Sequence, residues 1–273
     1  MSGFYANNLA VSPDGRQIAD NSIGIELRDA GTGLVTKTLP TTIQGRYSLF
    51  TYTSDSRRIV LAGNGYNLGG NAIEVWNCSD GSLVNRLTLD LPIGIDCAAL
   101  GPDGGTIVTY GRDVQNYSIV PRFEVWDVTN SKLLSTLNVG TFIPKHLAIS
   151  PDGNTLAASG AVSGAPESVL LIDLRSGMTV KVIPTPSAGT TCLAFNSSGT
   201  ELYVGGGSSL GNSIFGSTLS YYDLQTGKQL GTPKMAPYSA PIESILFTVD
   251  PSILVVGTAQ DLQLIDVRNM IPP

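Results

Sequence analysis

The chain has 273 residues, 42% of them hydrophobic, which is enough for a large core, yet no run approaches the roughly 18 apolar residues of a membrane span. Only 14% are charged, against roughly 25% in an average domain, and 31 are glycine, a balance that disfavours charged amphipathic helices and favours short strands joined by tight turns. A formal net charge of −6 argues against nucleic acid or an anionic membrane as partner, since both need a basic face.

In chain order, "LAVSPDGRQIA" from Leu9 reads as two strands hinged on Ser-Pro-Asp-Gly, where Pro presets φ and Asp and Gly accept the bend. "IELRDAGTGLVTKTL" follows and reads as a second hairpin. The same two signatures then return. "FTYTSDSRRIVLAG" is followed by "IEVWNCSDGSLVNRL", and "AALGPDGGTIVTYG" by "FEVWDVTNSKLLSTL". "LAISPDGNTLAASG" is followed by "VLLIDLRSGMTVKVI", and "LAFNSSGTELYVGG" by "LSYYDLQTGKQLGTP". "ILFTVDPSILVVG" comes last, with a short "LQLIDVRNMIPP". The turn positions Asp14, Asp55, Asp103, Asp152, Ser198 and Asp250 are 41, 48, 49, 46 and 52 residues apart, and the repeats begin near residues 8, 48, 96, 145, 191 and 243. Each copy is a four-stranded antiparallel meander with two apolar faces, so copies must stack to bury them. A period of 40–50 residues with four strands is that of a blade, and residues 1–273 are expected to form one all-β domain, a six-bladed β-propeller.

The chain resembles the WD-repeat family and its looser bacterial relatives. Trp126-Asp127 in "FEVWD", Trp76-Asn77 in "IEVWN", and the ends at Asp29, Asp173, Asp223 and Asp266 carry the resemblance over nearly the whole chain. It departs in lacking the Gly-His pair of a standard repeat: the single histidine is His146, so the family's Asp–His–Ser/Thr–Trp network cannot form. Repeat six stops at "VRNMIPP", and Met1–Ala6 is the candidate strand to complete its blade; a seven-bladed ring with residues missing is the alternative.

Register along the innermost strands separates packing from function. Residues five and three before each turn position are large (Phe50 and Tyr52, Leu193 and Phe195), while those six and four before are mostly small (Cys192 and Ala194). Alternation puts the two sets on opposite faces, so the large face of one blade should meet the small face of the next. This makes Cys97 and Cys192 buried packing thiols, and His146, without a second histidine, a core residue and not a zinc or triad member.

Seven before the turn stand Asn7, Ser48, Asp96, Lys145, Thr191 and Glu243, all polar, at the rim of the central channel. Polar residues cost nothing at a wet strand entrance, and that is the plain reading. The functional reading is a mixed-charge ring that holds a partner, and the family resemblance implies protein partners on this face. Long connections at the same end, 63–71, 111–121, 160–167 and 206–217, carry Tyr66, Arg112, Tyr117, Arg122 and Phe215, residue types favoured at interfaces.

The expected function is therefore non-enzymatic: a cytoplasmic, monomeric scaffold for a protein or peptide, with no catalytic residue, metal or cofactor. The alternative is a channel-centred calcium-dependent hydrolase, as in some six-bladed propellers, using Asp96, Glu243 and Asn7 or Asn8, with Lys145 in the ring opposing the cation.

Overall fold

Each Ser-Pro-Asp-Gly turn is closed by its own residues. In the first, Gly15 N–H donates to Ser12 O at 2.8 Å, the Ser12 hydroxyl donates to Asp14 Oδ1 at 2.7 Å, and that oxygen also accepts Arg16 N–H at 3.1 Å. Gly15 holds φ at +71°, a conformation that a Cβ opposes. Thr53 with Asp55 and Ser150 with Asp152 repeat the pattern, and the hydroxyl donors are foremost in holding the Asp14, Asp55 and Asp152 carboxyls below their usual range. In the second hairpin the WD-like aspartates cap the turn. Asp29 accepts Thr32 N–H at 2.8 Å, Asp127 accepts Asn130 N–H at 3.0 Å, and Asp173 and Asp223 accept Ser176 and Thr226 N–H, both at 2.6 Å. These aspartates work locally, within their own turns.

The computed structural model describes the chain except residues 1–7, 22–23, 44–46, 65–70, 91–93, 116–117, 186–188, 211–212, 232–240, 249, 259–260 and 270–273, and describes no side chains at 113–119, 208–217 and 269. It divides into two compact units, Met1–Asn138 and Val139–Pro273. The first holds three antiparallel four-stranded blades. They are β1 (Leu9–Val11), β2 (Gln17–Asp20), β3 (Ile25–Asp29), β4 (Val35–Leu39); β5 (Tyr47–Tyr52), β6 (Arg58–Asn64), β7 (Asn71–Asn77), β8 (Leu83–Leu89); and β9 (Gly94–Leu100), β10 (Thr106–Gln115), β11 (Ser118–Asp127), β12 (Lys132–Leu137). The second unit holds β13 (Ile143–Ile149), β14 (Thr155–Ala161), β15 (Ser168–Asp173), β16 (Thr179–Pro184), then β17 (Thr190–Phe195), β18 (Glu201–Leu210), β19 (Ser213–Asp223), β20 (Gln229–Gly231). Its last blade has three strands among the described residues, β21 (Ile242–Phe247), β22 (Ile253–Thr258) and β23 (Leu262–Asp266), before a single 3-10 turn at Val267–Asn269. Six consecutive meanders and almost no helix make this an all-β, six-bladed β-propeller, as the repeat implies. The candidate closing strand, Met1–Ala6, lies outside the described residues.

The cores between blades follow the alternation. Ala10 of the first blade packs with Phe50 and Tyr52 of the second, and Leu49 of the second with Ala98 and Leu100 of the third. In the other unit Ala148 meets Leu193 and Phe195, and Cys192 and Ala194 meet Ile245 and Phe247. Tyr203 stacks on Tyr221 at 5.3 Å and meets Phe247 edge-on at 5.1 Å in the same core. All three cysteines are buried free thiols, and burial pushes Cys78 and Cys192 up to about 12. Leu9 and Val11 depart from the pattern, being 67% and 54% exposed.

The second strand of the fourth blade carries a tight backbone approach: a Cβ on Gly160 would sit 2.1 Å from Ile143 O and 2.8 Å from Pro144 Cα. Gly160→Ala is expected to lower the urea midpoint by the equivalent of about 1–3 kcal/mol, as overpacking against backbone does, with the slope of the transition unchanged. An unaltered midpoint would show that this pair of strands yields without cost.

Candidate functional site

The polar residue seven before the turn has one structural cause in the second to sixth blades. The inner strand slips by one residue there, between Tyr47 and Leu49, on either side of Asp96, between Pro144 and His146, between Thr190 and Cys192, and between Ile242 and Ser244. Ser48, Asp96, Lys145, Thr191 and Glu243 are therefore the bulged residues, freed from the ladder and re-aimed. Asn7, the sixth of the set, lies outside the described residues.

The five divide by chemistry. The Ser48 hydroxyl donates to Ile95 O of the next blade at 3.1 Å, and the Thr191 hydroxyl donates to Ile242 O of its next blade and lies 3.1 Å from Gly205 O. These two staple one inner strand to its neighbour. The charged three face solvent. Asp96 binds Arg112 through both oxygens, with Nε–Oδ2 at 2.7 Å and Nη2–Oδ1 at 3.1 Å, so two residues chosen separately from sequence form one bidentate pair. Lys145 pairs with Glu167, which also accepts Thr190 N–H at 2.6 Å and so ties the fourth blade to the fifth. Burial works to raise the Glu167 carboxyl, but the Lys145 ammonium and the Thr190 N–H outweigh it and hold it below the usual carboxylate range. Glu243 is exposed on β21.

Two of the four long connections are not loops. β10 and β11 stay paired out to Gln115 and Ser118, and β18 and β19 out to Leu210 and Ser213. Three residues of β10 and four of β18 continue past the last pair with the inner strand, making β-hairpin arms of about 10–13 Å. Arg112 lies at the root of the first arm, opposite Pro121. Arg122, opposite Gly111, turns inward instead: it pairs with the buried Glu124 and donates to Asp90 O at 3.0 Å. Tyr66 and Tyr117 lie outside the described residues, and Phe215 is placed only by its backbone, paired with Ser208 in the second arm.

Composition concealed a second class of residue. Glu74, fully buried in "IEVWN", accepts the Thr41 hydroxyl at 2.7 Å, Thr42 N–H at 3.2 Å and Oγ1 at 2.5 Å, and Trp76 Nε1–H at 3.0 Å, with Arg86 Nε 3.4 Å away. It fastens the connection leaving the first blade to the middle of the second. A lone carboxylate inside an apolar run was the available signal, because such a group is buried only with donors around it.

Among the described residues no three His, Cys, Asp or Glu side chains are grouped as metal ligands, and both Asp96 oxygens face a guanidinium. No family model matches the chain. The transcription factor unc-37 of Caenorhabditis elegans is 24% identical over 174 residues, 60% of this chain and 25% of that protein, so the alignment spans about a quarter of the relative's length. A structure titled hydrazine synthase from Kuenenia stuttgartiensis superposes with a TM-score of 0.74 at 17% identity, covering 99% of this chain and 83% of that one. The latter is a likeness of fold alone; together with the repeats, the two support a WD-repeat-like β-propeller.

Two predictions test these placements. Ser48→Ala and Thr191→Val should each lower stability by about 1 kcal/mol in urea unfolding, the worth of one inter-blade hydrogen bond; no change would show the staples idle. His146 is brought down to about 4 by burial and then by the Lys145 charge, with Glu167 opposing. Its folded pKa lies below the unfolded value, so its contribution is complete above pH 6.5 and is lost as pH falls towards 4, on the order of 3 kcal/mol. His146→Gln should flatten the stability profile over that interval, and parallel profiles for the two proteins would refute the assignment.

Proposed function

We propose that this β-propeller is a non-enzymatic scaffold that holds a protein or peptide partner at the arm-bearing ends of its blades. The observation that carries the reading is the pair of hairpin arms, β10–β11 and β18–β19, one in each unit. An arm that keeps its backbone hydrogen bonds beyond the sheet offers a preorganised surface, which lowers the entropic cost of binding compared with a slack loop. The exposed Asp96–Arg112 pair sits at the root of one arm, and Lys145 and Glu243 open inner strands at the same ends of their own blades. Charges in such positions act on partner choice and association rate more than on affinity. Distant similarity to a transcription factor of the WD-repeat type is compatible with protein partners in general.

The test is affinity capture from native extract with two baits of equal thermal stability. One is the wild type; the other carries Asp96→Ala, Arg112→Ala, Lys145→Ala and Glu243→Ala. A protein retained by the first should bind the second about tenfold or more weakly when its affinity is measured directly. Identical retention by both baits would move the binding surface away from these ends.

A further inference from the structure

Among the described residues the sixth blade ends on its third strand, β23, and that strand is uncovered. Leu264 stands in the register position of Leu27, Val75, Val125, Leu171 and Tyr221, which are at most 8% exposed, yet it is 67% exposed. Leu262, two residues earlier, is 70% exposed. In complete blades the fourth strand sets an aliphatic side chain beside the position that Leu262 occupies: Leu39 beside Ile25, Leu87 beside Ile73, Leu137 beside Phe123 and Ile183 beside Val169. No described residue takes that place for Leu262.

The backbone of the open edge has a definite polarity. Thr258 N–H donates to Asp261 O at 2.8 Å and Val267 N–H to Ser252 O at 2.8 Å, and both pairs keep the register of β22 with β23. Hydrogen-bonded pairs alternate along an antiparallel ladder, so Gln263 and Ile265 turn their backbone groups to β22, while Leu262 and Leu264 turn theirs outward. Each of these two leucines offers one N–H and one C=O to a further strand.

Strand edges are normally blunted against such pairing by charged side chains, Pro or a bulge. The outer strands of four complete blades carry Lys37, Arg86, Lys132 and Lys181, the last strand ending at Pro184, and each joins its third strand through a bulge. In β23, Leu-Gln-Leu-Ile-Asp, the one charge is the terminal Asp266, which is paired with Arg268, and the register with β22 is unbroken. β23 has the chemistry of an interior strand.

We propose that two copies of the chain pair through β23 about a twofold axis at Gln263, making one six-stranded antiparallel sheet from two sixth blades. The strand is complementary to itself in that register. Leu262 of each copy meets Leu264 of the other, each pair exchanges two backbone hydrogen bonds, and each Leu262 gains the aliphatic neighbour that a fourth strand supplies elsewhere. The two Gln263 residues face each other about 4.5 Å apart at Cα, and each amide both donates and accepts, so neither opposes its twin. One strand per copy buries far less than the roughly 1,200 Å² of a stable interface, so the dimer is weak, with a Kd on the order of 10–100 μM. The monomer expected from the sequence is then the dilute form. This pairing is independent of the partner surface at the arm-bearing ends.

Sedimentation equilibrium over a range of concentrations tests the pairing, and the wild type should dimerise with that affinity. Leu262→Lys/Leu264→Lys, at two exposed positions, should raise Kd about tenfold or more with an unaltered thermal midpoint. Gln263→Cys should give a disulfide-linked dimer on mild oxidation, because a pair without hydrogen bonds between its residues holds the Cα atoms at a distance a disulfide spans. Thr179→Cys, exposed on the fourth blade's outer strand, should not, and the three native cysteines are buried. A wild type that stays monomeric to millimolar concentration overturns the proposal. Dimerisation on removal of Met1–Ala6 would then identify the chain's own first residues as the strand on β23, and a persistent monomer would assign the edge to another protein. A dimer that the lysines leave intact, or that Gln263→Cys fails to link, also overturns it by placing the contact elsewhere or in another register.

Discussion

A four-stranded meander with two apolar faces cannot exist alone, and every other feature of this chain is subordinate to that constraint. The solution is an asymmetric contact: large residues at alternate positions of one inner strand against small ones of the strand before. Phe50 and Tyr52 over Ala10, and Ile245 and Phe247 over Cys192 and Ala194, are the same joint at different places. Because the joint depends on register, the turns must not slip, and the aspartate-capped turns with left-handed glycines hold them.

The bulge in the inner strands of the second to sixth blades is the point where the repeat stops being only scaffold. By leaving one residue out of the ladder, it releases one side chain per blade from the packing rule. Where that side chain is a hydroxyl, it is drawn into the neighbouring backbone; where it is charged, hydration keeps it outside. A single backbone device thus produces a joint in some blades and a surface feature in others, according to one residue.

The fold was legible because its determinants are local and repeated. Turn chemistry appears six times, and large–small alternation needs only a count back from the turn. The site was less legible for identifiable reasons. The stretches 111–121 and 206–217 read as loops because Gly, Ser and Asn suggest slack, yet in both the ladder simply continues. Arg122 has the exposure-prone chemistry of an interface residue, but its partner Glu124 is buried on the same strand. Asp96 and Arg112 each stand out by position in the sequence, but their pairing depends on a bulge that no single residue announces. Glu74 went unread because a carboxylate inside "IEVWN" acquires meaning only once Thr41 and Thr42 are brought to it.

That buried carboxylate also bears on the order in which the chain becomes structured. Thr41 and Thr42 leave the first blade, but the group that fastens them belongs to the third strand of the second, about thirty residues later in synthesis. Until that strand is in place, the exit of the first blade lacks its carboxylate anchor and is tied only by contacts such as the Tyr47 hydroxyl on Ile43 O. Each completed blade of this kind would then act as the clasp for its predecessor, so that order is conferred backwards along the chain while synthesis runs forwards, and the earliest blade waits on its successor before it can settle.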